Sequence, residues 1–342
     1  MKALVKYTLG SDNVALRDMQ EPVAEPGWAK IQVKAAGICG TDLHVVEDRY
    51  DIQPPIIMGH EFSGVVVEVG EGVSVCEVGD RVTSIPYVSS CGRCDQCRNG
   101  AWNLCPERKA LGSKADGAFA PYVTVPEGSV RPLPESVDYR QGSMMEPLAC
   151  CVHGMLEATD VTAGDVVVVM GPGPIGIISA LLAGASGALV VLCGTSGDER
   201  RLRLAKEMGI DVVLNVDVDD VDDRVKGLTG GLGADVVAEC SGAGQAADLG
   251  LSLARLRGSY TQIGLFGRPI ELDFERIAYR ELRVGGSFSS ERSSWELASR
   301  LLERKEINLA PVITDTFPLE EWQSAFDAAR TRKGLKILLI PS

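Results

Sequence analysis

Histidine is scarce in this chain, with three in 342 residues: His44, His60 and His153. Aromatic residues make up only 5%, and seven tyrosines and seven phenylalanines are too few for a base-stacking platform. Cationic residues are outnumbered 34 to 47, giving a formal charge of −13, and they form no block. Such a surface repels a phosphate backbone, so no nucleic-acid partner is expected. The opening MKALVKYTLGSDN has charge but no apolar run behind it, so no secretory signal is expected and the predicted location is cytoplasmic. Long unbroken hydrophobic runs are missing too. Thirty-two residues, 166–197, carry no charge and have the length of a bilayer span, but Gly171, Pro172, Gly173, Pro174, Gly176, Gly184 and Gly187 interrupt them. Strand, glycine turn, helix and strand is the expected order there, and no membrane partner is expected.

What is present is a globular composition. Forty-five per cent of the residues are apolar, with 38 glycines and 17 prolines. The length exceeds one ordinary core and predicts two domains.

Ten cysteines stand at 39, 76, 91, 94, 97, 105, 150, 151, 193 and 240. In a reducing setting, clustered thiols hold metal more often than they form disulfides. Cys91, Cys94, Cys97 and Cys105 fall in one stretch, CGRCDQCRNGAWNLC, where two-residue gaps let successive thiolates meet one ion. A closed four-thiolate zinc site is predicted, structural because protein supplies every ligand; an iron–sulfur cluster is the rival.

Cys39 in AGICGTDLHV and His60 in IMGHEFSGV form a soft and borderline donor pair suited to a second zinc. A catalytic zinc ordinarily takes three protein ligands and a water. Glu61 and Glu146, the latter in MMEPLACCVHG, are both candidates for the third. His60 and Glu61 are adjacent, and neighbouring strand residues face opposite ways, so both can reach one ion only through a bend or the turn at Gly59. His153 is expected to be structural.

From Asp165 to Gly194 the chain reads DVVVVM, GPGPIG, IISALLAGASGA, LVVLCG. A glycine motif between an apolar strand and a helix, followed by another strand, is a dinucleotide signal. Gly171, Gly173, Pro174, Ile175 and Gly176 would cradle the pyrophosphate at the helix N-terminus. Further strands are expected at Asp211–Leu214, Ala234–Cys240, Ser259–Gly264 and Leu282–Gly285. Helices are expected at Glu199–Met208, Asp219–Leu228 and Ala243–Leu256, making a parallel, doubly wound sheet. Asp235 and Glu239, at strand ends, could be ligand groups, but solvated edge residues are the expectation. The second strand ends without a carboxylate until Asp198. Thr195, Ser196, Arg200 and Arg201 could serve a 2′-phosphate while Asp198 argues against one, so NAD and NADP both stay open.

Taken together, GICGTDLH, GHEFSG, the four-cysteine stretch, EPLACCVH and GPGPIG, in that order, resemble the zinc-dependent medium-chain alcohol and polyol dehydrogenases, and the sorbitol branch in particular. The resemblance implies an α/β protein. A catalytic domain with a partly open β-barrel-like fold would comprise 1–155 and 287–342, and a Rossmann cofactor domain 156–286. It implies two zinc ions per chain, NAD or NADP, and a dimer or tetramer. Cys39 and His60 match the catalytic zinc ligands, Glu61 a glutamate that binds or approaches zinc, and Glu146 the position of a third ligand. Asp42 matches the carboxylate that orients the histidine ligand, and Thr41 and His44 the proton relay. Ile263, Gly264, Leu265 and Phe266 resemble the segment that meets the nicotinamide carboxamide, with Ser287 and Phe288 beside it. Tyr50 and Phe288 would line the substrate mouth, with Ser289, Glu291 and Arg292 near the hydroxyls of a polyol or sugar-like substrate. L-threonine 3-dehydrogenase and glucose or aldose dehydrogenase are alternatives within the family. A non-catalytic NADPH-binding protein is the alternative outside it.

Overall fold

The computed structural model describes residues 1–342. The chain divides into two compact units, Met1–Glu146 with Ala298–Lys305 and Ile313–Ser342, and Pro147–Leu297 with Glu306–Val312. The first division falls inside the helix Met145–Val152.

The first unit is built on a seven-stranded sheet. Its path runs Val130–Pro132, Arg81–Ser84, Glu61–Val69, Trp28–Gly37, Lys336–Ile340 and Ile313–Pro318, with Tyr122–Pro126 also paired to Trp28–Gly37. Trp28–Gly37 sits at the centre because its alternating apolar residues face a core containing Ile31, Val33, Phe62, Val66, Phe119 and Phe326. Each such side chain, when fully buried, contributes roughly 1.5–3 kcal/mol, an upper bound because the unfolded chain already hides some surface. The C-terminal strand Lys336–Ile340 lies antiparallel to Trp28–Gly37, with Leu338 opposite Gly37. Glu61 faces Gly37 from the other side. Residues near the two ends of the sequence therefore flank one short stretch of strand. The short helix Gly40–Val46 follows it directly.

The second unit is a six-stranded parallel sheet, in the order Val212–Asn215, Leu189–Gly194, Val166–Met170, Ala234–Glu239, Ala254–Gln262, Arg283–Gly286. All five residues of Val166–Met170 are buried, as expected of a strand covered on both faces. Strand order reverses on either side of it, so its C-terminal end is the switch point where ligands bind in open α/β sheets. The helices Pro174–Ala185, Glu199–Glu207, Val221–Leu228 and Gly244–Leu253 make the connections. The uncharged stretch 166–197 is thus strand, loop, helix and strand, and no helix is long and apolar enough to cross a membrane.

Candidate metal centres and dinucleotide loop

Cys91, Cys94, Cys97 and Cys105 converge, all four Sγ atoms lying within 4.8 Å of one another. Cys91 Sγ is 3.6 Å from Cys105 Sγ and 4.0 Å from Cys97 Sγ. Ligands about 2.3 Å from a tetrahedral zinc lie about 3.8 Å apart, so the spacing fits that ion. Backbone N–H groups already point at the sulfurs: Cys94 N to Cys91 Sγ at 3.4 Å, and Cys97 N to Cys94 Sγ at 3.5 Å. The N–H groups of Arg93 and Cys94 pull the Cys91 thiol down to about 6. The Cys94 thiol accepts the Cys97 N–H, yet burial and proton sharing with the other thiols push it up to about 11. Four sulfurs this close cannot all be ionised without a cation.

A second group joins Cys39, His60 and Glu61, whose donor atoms again lie within 4.8 Å of one another. Cys39 is the N-cap of the helix Gly40–Val46. The bend required before Glu61 is supplied by Gly59, at φ +90°, where a Cβ would sit 2.5 Å from the Phe119 ring. Adjacent residues His60 and Glu61 can therefore both face Cys39. Asp42, buried, accepts the Cys39 N–H at 2.8 Å and has its other oxygen 3.8 Å from His60 Nδ1. Burial disfavours a charged His60, but Asp42, Cys39 and Glu146 outweigh it and hold His60 well above the ordinary imidazole range. The charge of the buried Glu146 bears on both His60 and Lys336, but its carboxylate is not among the donor atoms that converge within 4.8 Å. A soft thiolate, an imidazole and carboxylates concentrating negative charge suit a zinc ion.

Lys336 is the residue that sequence reasoning missed. Its Nζ donates to both Glu61 oxygens, at 2.8 and 2.5 Å, and to Ile38 O at 3.1 Å. Both partners are almost fully buried, at 3% and 1% side-chain exposure. Nothing local marks it; only the antiparallel return of the last strand brings it to Glu61.

Thr41 Oγ1 lies 3.7 Å from Cys39 Sγ. His44 is one helical turn further on, and its Nδ1 is buried without a hydrogen-bond partner. Tyr50 packs against the core of its own unit.

In the second unit the glycine loop follows Val166–Met170. Gly171, at φ +102°, donates its N–H to Cys193 O at 2.8 Å. A Cβ on Gly176 would lie 1.8 Å from Gly171 O, whereas one on Gly173 would meet nothing within 4 Å. The turn is thus tight where helix meets strand and open where a phosphate would approach. Pro174 occupies the first turn of Pro174–Ala185, and no side chain caps its N-terminus. Unpaired N–H groups facing open space, together with the positive end of the helix dipole, fit a pyrophosphate.

Glu239, read from sequence as solvated, is fully buried. Its carboxylate accepts from the Ser241 N–H at 2.8 Å, the Gly242 N–H at 3.1 Å and Gln262 Nε2 at 2.7 Å. Gln262 also donates to Gly264 O at 2.7 Å, and Ile263 and Gly264 donate their N–H groups to Glu239 O. Glu239 therefore knits the Ser241–Gly242 turn beside Gly171 to the segment containing Ile263, Gly264 and Leu265. Asp235, half-buried, accepts the Val166 N–H at 2.8 Å and pairs with Arg255 at 2.8 Å. Ser287 donates its N–H to Gln262 O, so it too borders this segment. Phe288 is exposed, Ser289 has φ +60°, and Ser290 is buried, accepting from Trp295 Nε1 at 3.0 Å. Arg292 begins the helix Arg292–Glu303. His153 pairs with Glu157 at 2.8 Å, and Glu157 also accepts from Ser294. Asp198 is buried, accepting the Thr195 N–H at 3.1 Å and Oγ1 at 2.8 Å. Arg201 is buried with Nη1 4.0 Å from Asp198, while Arg200 is exposed.

The family described as alcohol dehydrogenase GroES-like domain matches residues 25–135, and that described as zinc-binding dehydrogenase matches 174–304. The sorbitol dehydrogenase of Halalkalibacterium halodurans is 44% identical over 342 residues, covering 100% of this chain and 99% of that one. The D-arabitol-phosphate dehydrogenase of Enterococcus avium is 40% identical over 341 residues, with 99% and 97% covered. An L-threonine 3-dehydrogenase of Bacillus subtilis is 37% identical over 347 residues, with 100% and 99% covered. A proposed zinc-binding dehydrogenase of Sinorhizobium meliloti, solved with NADP bound, superposes with a TM-score of 0.90 at 34% identity, with 99% of each chain covered.

Proposed function

The chain belongs to the zinc-dependent medium-chain alcohol and polyol dehydrogenases, and from that membership we propose that it interconverts a secondary hydroxyl of a polyol or sugar-like substrate and the corresponding ketone, with NAD(P) as hydride partner. The observation that carries this reading is the approach of Cys39, His60 and Glu61 to within 4.8 Å of one another. A binding protein without catalysis would have no use for that donor set.

Bound zinc supplies a Lewis acid that acidifies the substrate hydroxyl, and NAD(P) supplies the hydride acceptor. The protein's own groups do the rest. Cys39 and His60 are assigned as fixed ligands. Asp42, anchored on the Cys39 N–H with its other oxygen 3.8 Å from His60 Nδ1, is assigned to orient the His60 ring. The Glu61 carboxylate is shared between the ion and Lys336, and the charge of Glu146 bears on the same lysine. Either carboxylate can complete the ligand set. Thr41 Oγ1 is assigned to receive the substrate proton, and His44, on the same helix face, to pass it to solvent.

Cys91, Cys94, Cys97 and Cys105 are assigned a second, structural zinc, making two per chain. The first unit is the catalytic unit in this reading and the second holds the dinucleotide over Gly171–Gly176. A homo-oligomer, dimer or tetramer, is supported by the edge strand Arg283–Gly286, which has one sheet neighbour and lies near exposed Phe274 (68%) and Tyr279 (79%). A cytoplasmic location is part of the same proposal, supported by the four converging thiols of Cys91, Cys94, Cys97 and Cys105, which hold an ion only when reduced.

The test is a panel of polyols, butanediol, L-threonine and hexoses, assayed with NAD and NADP separately, beside zinc analysis. Polyol oxidation with two zinc ions per chain supports the reading. Preference for L-threonine moves the chain to the other branch, and one zinc with no turnover of any alcohol overturns the catalytic assignment.

A further inference from the structure

The choice between NAD and NADP is made where the strand Leu189–Gly194 ends beside the glycine loop. The two are in contact: a Cβ on Gly194 would lie 2.7 Å from Pro172 Cγ. In this fold the adenosine ribose rests at that strand end, and an acidic side chain there binds the 2′-hydroxyl and repels a 2′-phosphate. Asp198 is the first carboxylate along the chain, but it is buried and folded back onto Thr195, accepting that residue's N–H and Oγ1.

A different carboxylate occupies the exposed side. The next parallel strand, Val212–Asn215, pairs Asn215 with Gly194, and Val216 donates to Gly194 O at 2.8 Å. The turn that follows lays Asp217 over Ser196, its Oδ2 accepting the Ser196 N–H at 2.7 Å. Asn215 Nδ2 donates to Ser196 Oγ at 3.0 Å, and Asn215 Oδ1 accepts the Asp217 N–H at 3.0 Å, fixing the arrangement from both sides. The backbone donor that could have held a phosphate is therefore already bound to an anion. Asp217 is exposed, and its charge is secured by the Ser196 N–H, which holds its carboxyl below the usual range. Asp219 stands in the same turn, accepting the Asn215 N–H at 2.7 Å, so the turn that meets Ser196 carries two carboxylates.

We propose that Asp217 is the specificity residue for the cofactor: it reaches across from the neighbouring strand to take the ribose-recognition place that Asp198 vacates, and makes the enzyme prefer NAD over NADP. This rests on the dinucleotide reading above and goes beyond it.

The experiment measures binding without turnover, by calorimetry on the full-length protein. NAD⁺ is compared with NADP⁺, and 5′-AMP with 2′,5′-ADP, for wild type, D217N and D217A. Asparagine keeps an acceptor for the Ser196 N–H and removes only the charge. Wild type should bind NAD⁺ at least about tenfold more tightly than NADP⁺, and D217N should bring the two within about threefold, with the AMP pair following. The ratio of kcat/KM for the two cofactors should move in parallel. NADP⁺ binding as tightly as NAD⁺ in wild type overturns the proposal and leaves the dinucleotide reading standing. A ratio that shifts in D217A but not in D217N makes Asp217 a turn-holding residue and also overturns it. Absence of binding by any of the four nucleotides removes both readings together.

Discussion

The two metal-ready clusters are assembled in opposite ways. Cys91, Cys94, Cys97 and Cys105 come from fifteen consecutive residues with only a four-residue helix, Asp95–Arg98, and a 3-10 turn, Trp102–Leu104, among them. Cys39, His60 and Glu61 come from two segments, and the countercharge on Glu61 comes from Lys336, 275 residues away in sequence. Closing a short loop costs little entropy, so the first cluster can form around an ion with little help from the rest of the fold. The second is held by three paired strands, Trp28–Gly37, Glu61–Val69 and Lys336–Ile340, which exist because of the core beneath them. Metal should therefore make the first cluster and merely occupy the second.

The sharpest test of that contrast removes one donor from each. Cys39→Ser should cut turnover at least about a thousandfold, equivalent to about 4 kcal/mol. The protein should lose one zinc, and its circular dichroism and melting temperature should hardly change. Lys336→Met comes next. It strands a buried carboxylate, a change that typically costs about 3–5 kcal/mol. Denaturant melts should show most of this loss in zinc-free protein and less after zinc loading, because the ion gives Glu61 another positive partner. Equal losses in both states would mean that Glu61 never turns to the metal. Cys94→Ser should lower stability by about 2–3 kcal/mol and remove the other zinc, while turnover per folded molecule stays within about threefold. If Cys94→Ser instead abolished turnover in folded protein, the contrast between the two clusters would fail.

The same contrast explains what could be read from the sequence. The four-cysteine stretch and the GPGPIG loop are local: spacing and composition carry them. The two strands around the loop agree with expectation to within a residue, while the helix between them starts and ends three residues earlier because Pro174 opens it inside the glycine motif. Cys39 and His60 stand out as a soft and borderline donor pair in a chain with three histidines. Lys336 could not be found, because a lysine in KILLI looks like any strand-end lysine until the antiparallel return places it against Glu61. Glu239 was misread for a related reason. A carboxylate at a strand end is usually solvated, and only the convergence of the turns at Ser241 and Gln262 buries it. Asp198 shows a third cause. Its position in sequence suggests ribose binding, but a local capping turn consumes it.

His44 gives the smallest predicted effect and the finest discrimination, because it belongs to neither cluster yet is proposed to serve one of them. Burial, and then the charge of Arg49, hold its pKa below the ordinary imidazole value. It is therefore neutral at pH 7 and able to accept a proton. A lowered pKa means that the unfolded chain takes up the proton first as pH falls. The His44 contribution to stability is thus full above about 6.5 and is lost as pH drops below that value. Turnover should fall on the acid side as well, once His44 itself is protonated. His44→Gln should slow turnover by about one to two decades and remove that acid limb from the pH–rate profile, with both zinc ions retained. An unchanged limb would assign the proton path to another group. A lost zinc would show that this helix supports the metal cluster as well as serving it.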